Sequence, residues 1–359
     1  MSLLHLEVRG IRNLTSIFLD FSPSLNLIYG ANGSGKTSLL EAIHVLGLGR
    51  SFRTLQAKKL VQAGLGVATV FGRVDIGGQV WQLGVQKSDA DPTLIKINGE
   101  IAASAADLAE LLPLQLINPE SDQLVLGEPK ERRAFLDWGL FHVEQNYLEG
   151  WRRYRRVLQQ RNAALRQGAK DTELGHWDAM LADEGERLSS LRTEYLASLA
   201  PPFKAFCQDL GLVEHTVAMF RRGWTKELPL LEVLRRNRES DRSAGYTQSG
   251  AHRADFRLQL DGQDGADVFS RGQLKLTVCA LRLAQAINLF ERRGRRCVFI
   301  VDDLPAELDP DKRRLLLRAL AKAGGQVFVT ATERNLVDLA DWEQYRMFHV
   351  ERGVATEVV

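Results

Sequence analysis

Leu25-Asn26-Leu27-Ile28-Tyr29-Gly30-Ala31-Asn32-Gly33-Ser34-Gly35-Lys36-Thr37-Ser38-Leu39-Leu40-Glu41-Ala42-Ile43 decides the fold. Its centre, Gly30 to Thr37, fits the pattern G-x-x-x-x-G-K-[ST] and lies between an apolar run of strand type and the first turns of a helix. In that place the pattern has a mechanical meaning. Glycines at 30, 33 and 35 let backbone N–H groups converge on phosphate oxygens, and the positive end of the following helix faces the same point. Lys36 reaches the outer phosphates and the Thr37 hydroxyl can ligate Mg²⁺. ATP and Mg²⁺ are therefore expected at Gly30, Ala31, Asn32, Gly33, Ser34, Gly35, Lys36 and Thr37, against the alternative of a glycine-rich turn with a chance lysine.

Outward from the loop, residues up to about 118 read as β-rich. Runs at 67–75 and 79–85 flank Gly77-Gly78, and Leu94–Ile97 meets Ile101 across Asn98-Gly99, which are two hairpin signals. From about 120 to 240 helical periodicity takes over, rich in Arg, Gln, Glu and Leu, with a break expected at Pro201-Pro202. After the polar stretch 238–245, strand patterns return at 256–260, 297–301 and 326–330. The expected architecture is an α/β head built from both chain ends, residues 1–122 and 245–359, with an inserted α-helical arm domain at 123–244.

The 359 residues are 45% hydrophobic and 26% charged, enough for two or three folded domains. No apolar run is long enough to span a bilayer and the N-terminus lacks a secretion pattern, so a cytoplasmic protein is expected. Cys207, Cys279 and Cys297 are scattered and read as reduced core thiols. With a net charge of only +2, attraction to nucleic acid has to come from local clusters.

A second part of the phosphate site is expected where the run 297–301 ends in Asp302-Asp303. Asp302 would face Thr37 across the metal, through water, and Asp303 stands where a base or water-orienting acid belongs. One methylene shorter than glutamate, Asp303 implies slow hydrolysis; with Lys36 it forms the expected catalytic pair. The bland alternative is a strand capped by two solvated aspartates. Ser270-Arg271-Gly272-Gln273 precedes a strongly helical run at 276–289 and is either an ordinary helix cap or a second anion site. One chain has no need of a second triphosphate site, so the latter implies a dimer.

The segment 270–273 is similar to the loop with which ATPases of the ABC and SMC type close over a γ-phosphate held by the partner copy, with Arg271 where a second glycine is usual. The order of motifs resembles the RecF family of bacterial recombinational repair ATPases over essentially the whole chain. The likeness rests further on Pro119 to Asp137, with its pair Arg132-Arg133 and terminal Leu136-Asp137, on Gly250-Ala251-His252-Arg253-Ala254-Asp255, and on 299–309, which ends Ala306-Glu307-Leu308-Asp309. The resemblance implies an ABC/SMC-like P-loop head with Walker A, signature, Walker B and D-loop. It also implies ATP-dependent homodimers that bind gapped DNA or single-strand/double-strand junctions, and a weak, DNA-stimulated ATPase. Partners RecO and RecR, help in loading RecA, and roles in replication restart and the SOS response come from the same resemblance.

DNA contacts are expected at Arg152, Arg153, Arg155 and Arg156, within an acid-free stretch from Gly150 to Arg166 that also carries Arg161 and Arg166. As a helix it would place Trp151, Tyr154, Leu158 and Leu165 near one stripe with most guanidiniums outside it. Arg50, Arg53, Lys58 and Lys59 form a second basic cluster close to the ATP site. Both clusters can equally be read as solvated faces. The competing functions are the ATPase subunit of a membrane transporter, disfavoured by the basic helical insert and by Thr330-Ala331-Thr332 where a switch histidine is usual, and a nuclease coupled to an ATPase.

Overall fold

The computed structural model describes residues 1–212, 216–304 and 308–358. In chain order its strands begin with β1 Ser2–Ile11, β2 Leu14–Asp20, β3 Leu25–Tyr29, β4 Val67–Ile76, β5 Gln79–Ser88, β6 Leu94–Ile97, β7 Glu100–Ile101 and β8 Leu114–Ile117. They continue with β9 Thr216–Arg221, β10 Asp255–Leu260, β11 Gln263–Asp264, β12 Val298–Val301, β13 Gln326–Ala331, β14 Tyr345–Glu351 and β15 Val354–Val358. The chain divides into two compact units, Met1–Ser121 with Asp209–Gly211 and Lys275–Val359, and Asp122–Gln208 with Leu212–Leu274.

The first unit is the α/β head built from both ends of the chain. One sheet runs β15-β14-β3-β13-β12-β8, with β3 parallel to both β13 and β14 and β12 parallel to β13 and β8. Strands covered on both faces read as continuous apolar runs rather than alternating ones, which explains Phe299, Ile300 and Val301 at 0–1% exposure and the fully buried β13. The other sheet is antiparallel, β2-β1-β4-β5-β6-β7. Its tight β6–β7 turn puts Asn98 at φ 51° and Gly99 at φ 87°, the left-handed pair that such a hairpin demands. The helix Lys36–Leu48 lies among both sheets. A Cβ on Gly72 of β4 would come 2.4 Å from Leu46, and one on Gly47 would come 2.5 Å from Leu114 of β8. Eleven of its thirteen residues are buried, Lys36, Ser38, Glu41 and His44 among them, so it is enclosed on nearly every side rather than along one stripe.

The second unit carries the helices Pro129–Val143, Tyr147–Arg166 and most of Asp171–Asp209, together with the small sheet β11-β10-β9. It extends to Leu274, so residues 245–274 belong here and not with the head, against the division expected from sequence. The polar stretch that resembled a linker is the helix Arg238–Ala244, closed by Gly245 at φ 74°. Beyond it, β10 pairs with β9 from Asp255↔Arg221 to Leu260↔Thr216. Pro201 and Pro202 do not break their helix, which runs on to Asp209. Each proline in a helix interior costs about 3 kcal/mol. Burial of Leu196, Leu199, Phe203 and Phe206 on both sides of the pair, at about 1.5–3 kcal/mol per side chain, offsets that cost.

Arg161 is the clearest correction on the basic helix. It sits at 0% exposure, seven positions after the buried Tyr154 on the same face, and donates to Asp178 Oδ1, Asp241 Oδ2 and Thr247 Oγ1 at 2.7, 2.7 and 2.8 Å. Arg238 also donates to Asp178, so two guanidiniums and two carboxylates close a buried ionic cluster. Removing one member of such a cluster strands the rest. Arg161→Ala should cost about 3–5 kcal/mol and expose the second unit to proteolysis, whereas Arg156→Ala on the exposed face should change stability by less than about 0.5 kcal/mol. Equal protease resistance of the two variants would contradict the assignment.

Candidate functional site

Between β3 and the helix Lys36–Leu48, Gly30 (φ 152°), Gly33 (φ 77°) and Gly35 (φ 122°) take backbone angles that side chains resist. A Cβ on Gly30 would lie 2.2 Å from the Val350 carbonyl oxygen, so this glycine is demanded by close approach as well as by φ. The β14–β15 turn braces the loop from outside, with Gly353 N–H donating to Ser34 O at 2.8 Å. Asn13, in the β1–β2 turn, donates from Nδ2 to Ser34 O at 3.2 Å and accepts from Ser38 Oγ at 2.9 Å.

The loop opens on a cavity of about 460 Å³, within the range of about 300–1,000 Å³ typical of small-ligand sites. Asn32, Gly33, Gly35, Lys36 and Thr37 line it from the loop, and Asp302 and Asp303 from the end of β12. Gly30, Ala31 and Ser34 do not line the cavity; Gly30 and Ser34 are buried and Ala31 is exposed. Lys36 Nζ donates to the Gly30 and Ala31 carbonyls at 2.7 and 2.9 Å, so the ammonium is folded onto the loop. Burial lowers its pKa, and the nearby Asp303 and Asp302 charges oppose that shift. The Ser34 hydroxyl oxygen is buried with no hydrogen-bond partner among the described residues.

Thr37 and Asp302, 265 positions apart, meet with Thr37 Oγ1 donating to Asp302 Oδ1 at 3.0 Å. Thr330 Oγ1, from β13, donates to the same Oδ1 at 2.9 Å. Burial is the largest influence on Asp302 and pushes its carboxyl above the ordinary carboxylate range, with the Thr330 and Thr37 hydroxyls acting the other way. A carboxyl in a polar cleft, beside a hydroxyl and a lysine, suits a hard dication and a polyphosphate. Thr37 and Asp302 are the residues that would hold Mg²⁺.

Sequence reasoning missed four residues that line the same cavity: Arg12, Asn13, Ser38 and Thr330. None belongs to a short pattern. It also missed Glu41, fully buried on the helix, which receives Arg12 Nε and Nη2 at 2.9 Å each and has Arg53 at 3.9 Å. Arg53 lines the cavity, while the rest of its basic cluster, Arg50, Lys58 and Lys59, is exposed and absent from the lining.

In the second unit Ser270 N–H donates to Gln273 Oε1 at 2.9 Å and Gln273 N–H donates to Ser270 Oγ at 3.3 Å. This reciprocal cap starts the helix Arg271–Arg293, with Ser270 and Arg271 exposed. Among the arm arginines, Arg152 and Arg156 are exposed, Arg155 stacks 4.8 Å from the Trp151 ring, and Arg153 is committed to Glu184 at 2.6 Å. The acid-free stretch is thus partly neutralised by an acid from another helix. Arg132 donates to both carboxylate oxygens of Asp255 at 2.6 and 3.1 Å, and Arg133 to Ala254 O at 2.9 Å, which joins two of the sequence motifs. His252 bridges Tyr154 OH at 2.7 Å and Thr247 O at 3.0 Å; burial lowers its pKa to about 4, and both contacts are internal to the unit. Arg253 lies 5.4 Å from the Tyr246 ring. Of the D-loop residues, Ala306 and Glu307 lie outside the described residues, and Asp309 caps the helix Pro310–Ala323 by accepting from Lys312 N–H at 2.9 Å.

The family model for the RecF/RecN/SMC N terminal domain matches residues 2–356. A protein of Thioalkalivibrio sulfidiphilus named DNA replication and repair protein RecF is 46% identical over 355 residues, covering 98% of each chain. A solved structure described as the recombination mediator protein RecF-ATP in the RecFOR pathway superposes with a TM-score of 0.86 at 27% identity, covering 100% of this chain and 98% of that one. An SMC head bound to the C-winged helix domain of ScpA shares the fold, with a TM-score of 0.62 at 15% identity over 100% and 97% of the two chains.

The raised Asp302 pKa fixes the sign of a pH effect. Stability from a carboxyl whose folded pKa is raised is full below the ordinary value near ~3.9 and is lost as pH rises through the shifted value. At about pH 7.5, Asp302→Asn should therefore melt higher than the native chain without nucleotide, with the advantage vanishing toward about pH 4. The same variant should gain less from Mg-ATP. A lower melting temperature at both pH values would show that ionised Asp302 stabilises the fold.

Proposed function

The chain belongs to the RecF/RecN/SMC N-terminal family and, within it, to the RecF proteins; on that premise we propose that it is an ATP-binding protein of DNA replication and recombinational repair. The observation that carries this reading is the shared carboxylate. Thr37 at the phosphate loop and Asp302 at the end of β12 are brought to 3.0 Å beside Lys36, as a magnesium-nucleotide site requires.

When bound, Mg²⁺ would neutralise phosphate charge between Thr37 and Asp302. Lys36 would leave the loop carbonyls for the outer phosphates, a change of partner without loss of its charge. Asp303, which lines the cavity, would orient the attacking water, and its short side chain keeps turnover slow. Ser270, Arg271, Gly272 and Gln273 would close over the γ-phosphate held by a second copy. ATP then stabilises the paired form, and hydrolysis, stimulated by DNA, times its release.

The paired heads would clamp gapped DNA or a single-strand/double-strand junction. With RecO and RecR the clamp would promote RecA loading, in support of replication restart and SOS induction. Arg152, Arg155 and Arg156 on the arm, with Arg50, Lys58 and Lys59 on the head, supply exposed positive charge for phosphate contacts, and Arg53 stands between the cavity and that cluster.

Lys36→Ala should weaken ATP binding by roughly 10- to 100-fold, read as loss of the ATP-dependent thermal shift, since a hydrogen bond to a charged group contributes about 1.5–3 kcal/mol. An unchanged shift would remove the site. Reversing Arg152, Arg155 and Arg156 to Glu should lower duplex affinity and flatten its salt dependence by about 0.9 in log–log slope per lost phosphate contact. An unaltered slope would return this helix face to plain solvent.

A further inference from the structure

We propose that Thr330 is a positioning residue for ATP hydrolysis, a hydroxyl anchored on Asp302 that sets the position of Asp303 on the cavity wall. The inference rests on the reading of Asp303 as the water-orienting group. Thr330 is fully buried near the end of β13. Its Oγ1 has one proton, donated to Asp302 Oδ1 at 2.9 Å, and a lone pair that accepts the Asp303 N–H at 2.7 Å. Each capacity of the hydroxyl is thus used on a different acid.

The second contact bears on strain. Asp303 has φ 55°, a left-handed conformation that non-glycine residues adopt only when their surroundings enforce it. The parallel ladder between β12 and β13 has ended at Val301↔Val329, so Asp303 N–H lies beyond it. The Thr330 hydroxyl replaces the missing ladder partner and holds the chain in the turn that places Asp303 on the cavity wall.

Thr330 is also tied to the phosphate loop. It pairs with Ile28 in β3, and its neighbour Ala331 pairs with Tyr29 and accepts from Gly30 N–H at 3.3 Å. A shift of the loop around a triphosphate therefore reaches the two acids through one strand. This makes Thr330 the residue through which nucleotide occupancy would be felt at Asp303, in the strand after which a switch histidine is usual in transporter-type ATPases.

The test uses the full-length chain with ATP titrated at equilibrium and hydrolysis followed in a single turnover at saturating ATP with duplex DNA. Thr330→Val keeps the shape and removes the hydroxyl; Thr330→Ser keeps the hydroxyl. The expected result for valine is hydrolysis slowed at least about tenfold while ATP affinity stays within about threefold, with serine returning the rate to within about threefold. Adding Asp303→Asn to the valine variant should slow it little further, because the threonine acts through that residue. If the valine chain does not fold, Thr330→Ala is judged by the same criteria. A valine or alanine variant that turns over within about twofold of the native chain overturns the proposal, as do losses that multiply with Asp303→Asn. A native chain that binds ATP but never hydrolyses it overturns this inference alone, whereas one that fails to bind ATP in the titration overturns the nucleotide reading beneath it.

Discussion

A single carboxylate kept out of water organises the head. Asp302 has two hydroxyls, Thr37 from the phosphate loop and Thr330 from the neighbouring strand, donating to one of its oxygens. Burial above all, and the nearby Asp303 charge, work against its ionisation, while these two bonds and the Arg53 charge work in favour. Much of the fold can be understood as the means of bringing those groups together. β3, β13 and β12 lie side by side in parallel, so the loop, the threonine and the acids all emerge at the same end of the sheet. The glycines of the loop, the brace from Gly353 and the clamp from Asn13 keep the anion-facing backbone in its strained path.

The second unit depends on charge of a different kind. Arg161 with Asp178 and Asp241, and Arg132 with Asp255, are ionic contacts with little access to water. Arg192 adds another, reaching Asp137 at 2.7 Å, where Tyr147 and Trp151 also donate. Such pairs contribute less to net stability than their geometry suggests, but they tolerate few alternative packings. Arg132 with Asp255 fixes a helix to the small sheet and the other pairs fix helices to one another, and together they explain why arginines from two sequence motifs are structural rather than available to a ligand.

The head could be read from the sequence because its signals are local and redundant. A glycine-rich loop between a strand and a helix, and an apolar run ending in acids, each carry their meaning within a dozen residues. Arg12, Asn13 and Thr330 escaped because each joins the site only through tertiary proximity. Glu41 escaped because a glutamate on a helix normally reads as solvent-facing. Arg161 was legible in principle, since position 161 shares its face with Tyr154 and Val157, both buried. Charge composition outweighed periodicity in that reading. Pro201-Pro202 misled because local backbone preference was outweighed by aromatic and leucine packing on either side. The boundary at 245 failed because a polar stretch can be a short capped helix as easily as a linker.

The central claim is that a triphosphate joins two copies of this chain through the phosphate loop of one and the Ser270–Gln273 cap of the other, in which Ser270 and Arg271 are exposed. Sedimentation velocity with and without saturating Mg-ATP, on the native chain and on Arg271→Glu, tests it most directly. The native chain should shift from one copy to two on adding Mg-ATP, while Arg271→Glu should bind ATP and stay a single copy. A native chain that stays single at saturating Mg-ATP with duplex DNA present, or an Arg271→Glu chain that pairs normally, would contradict it.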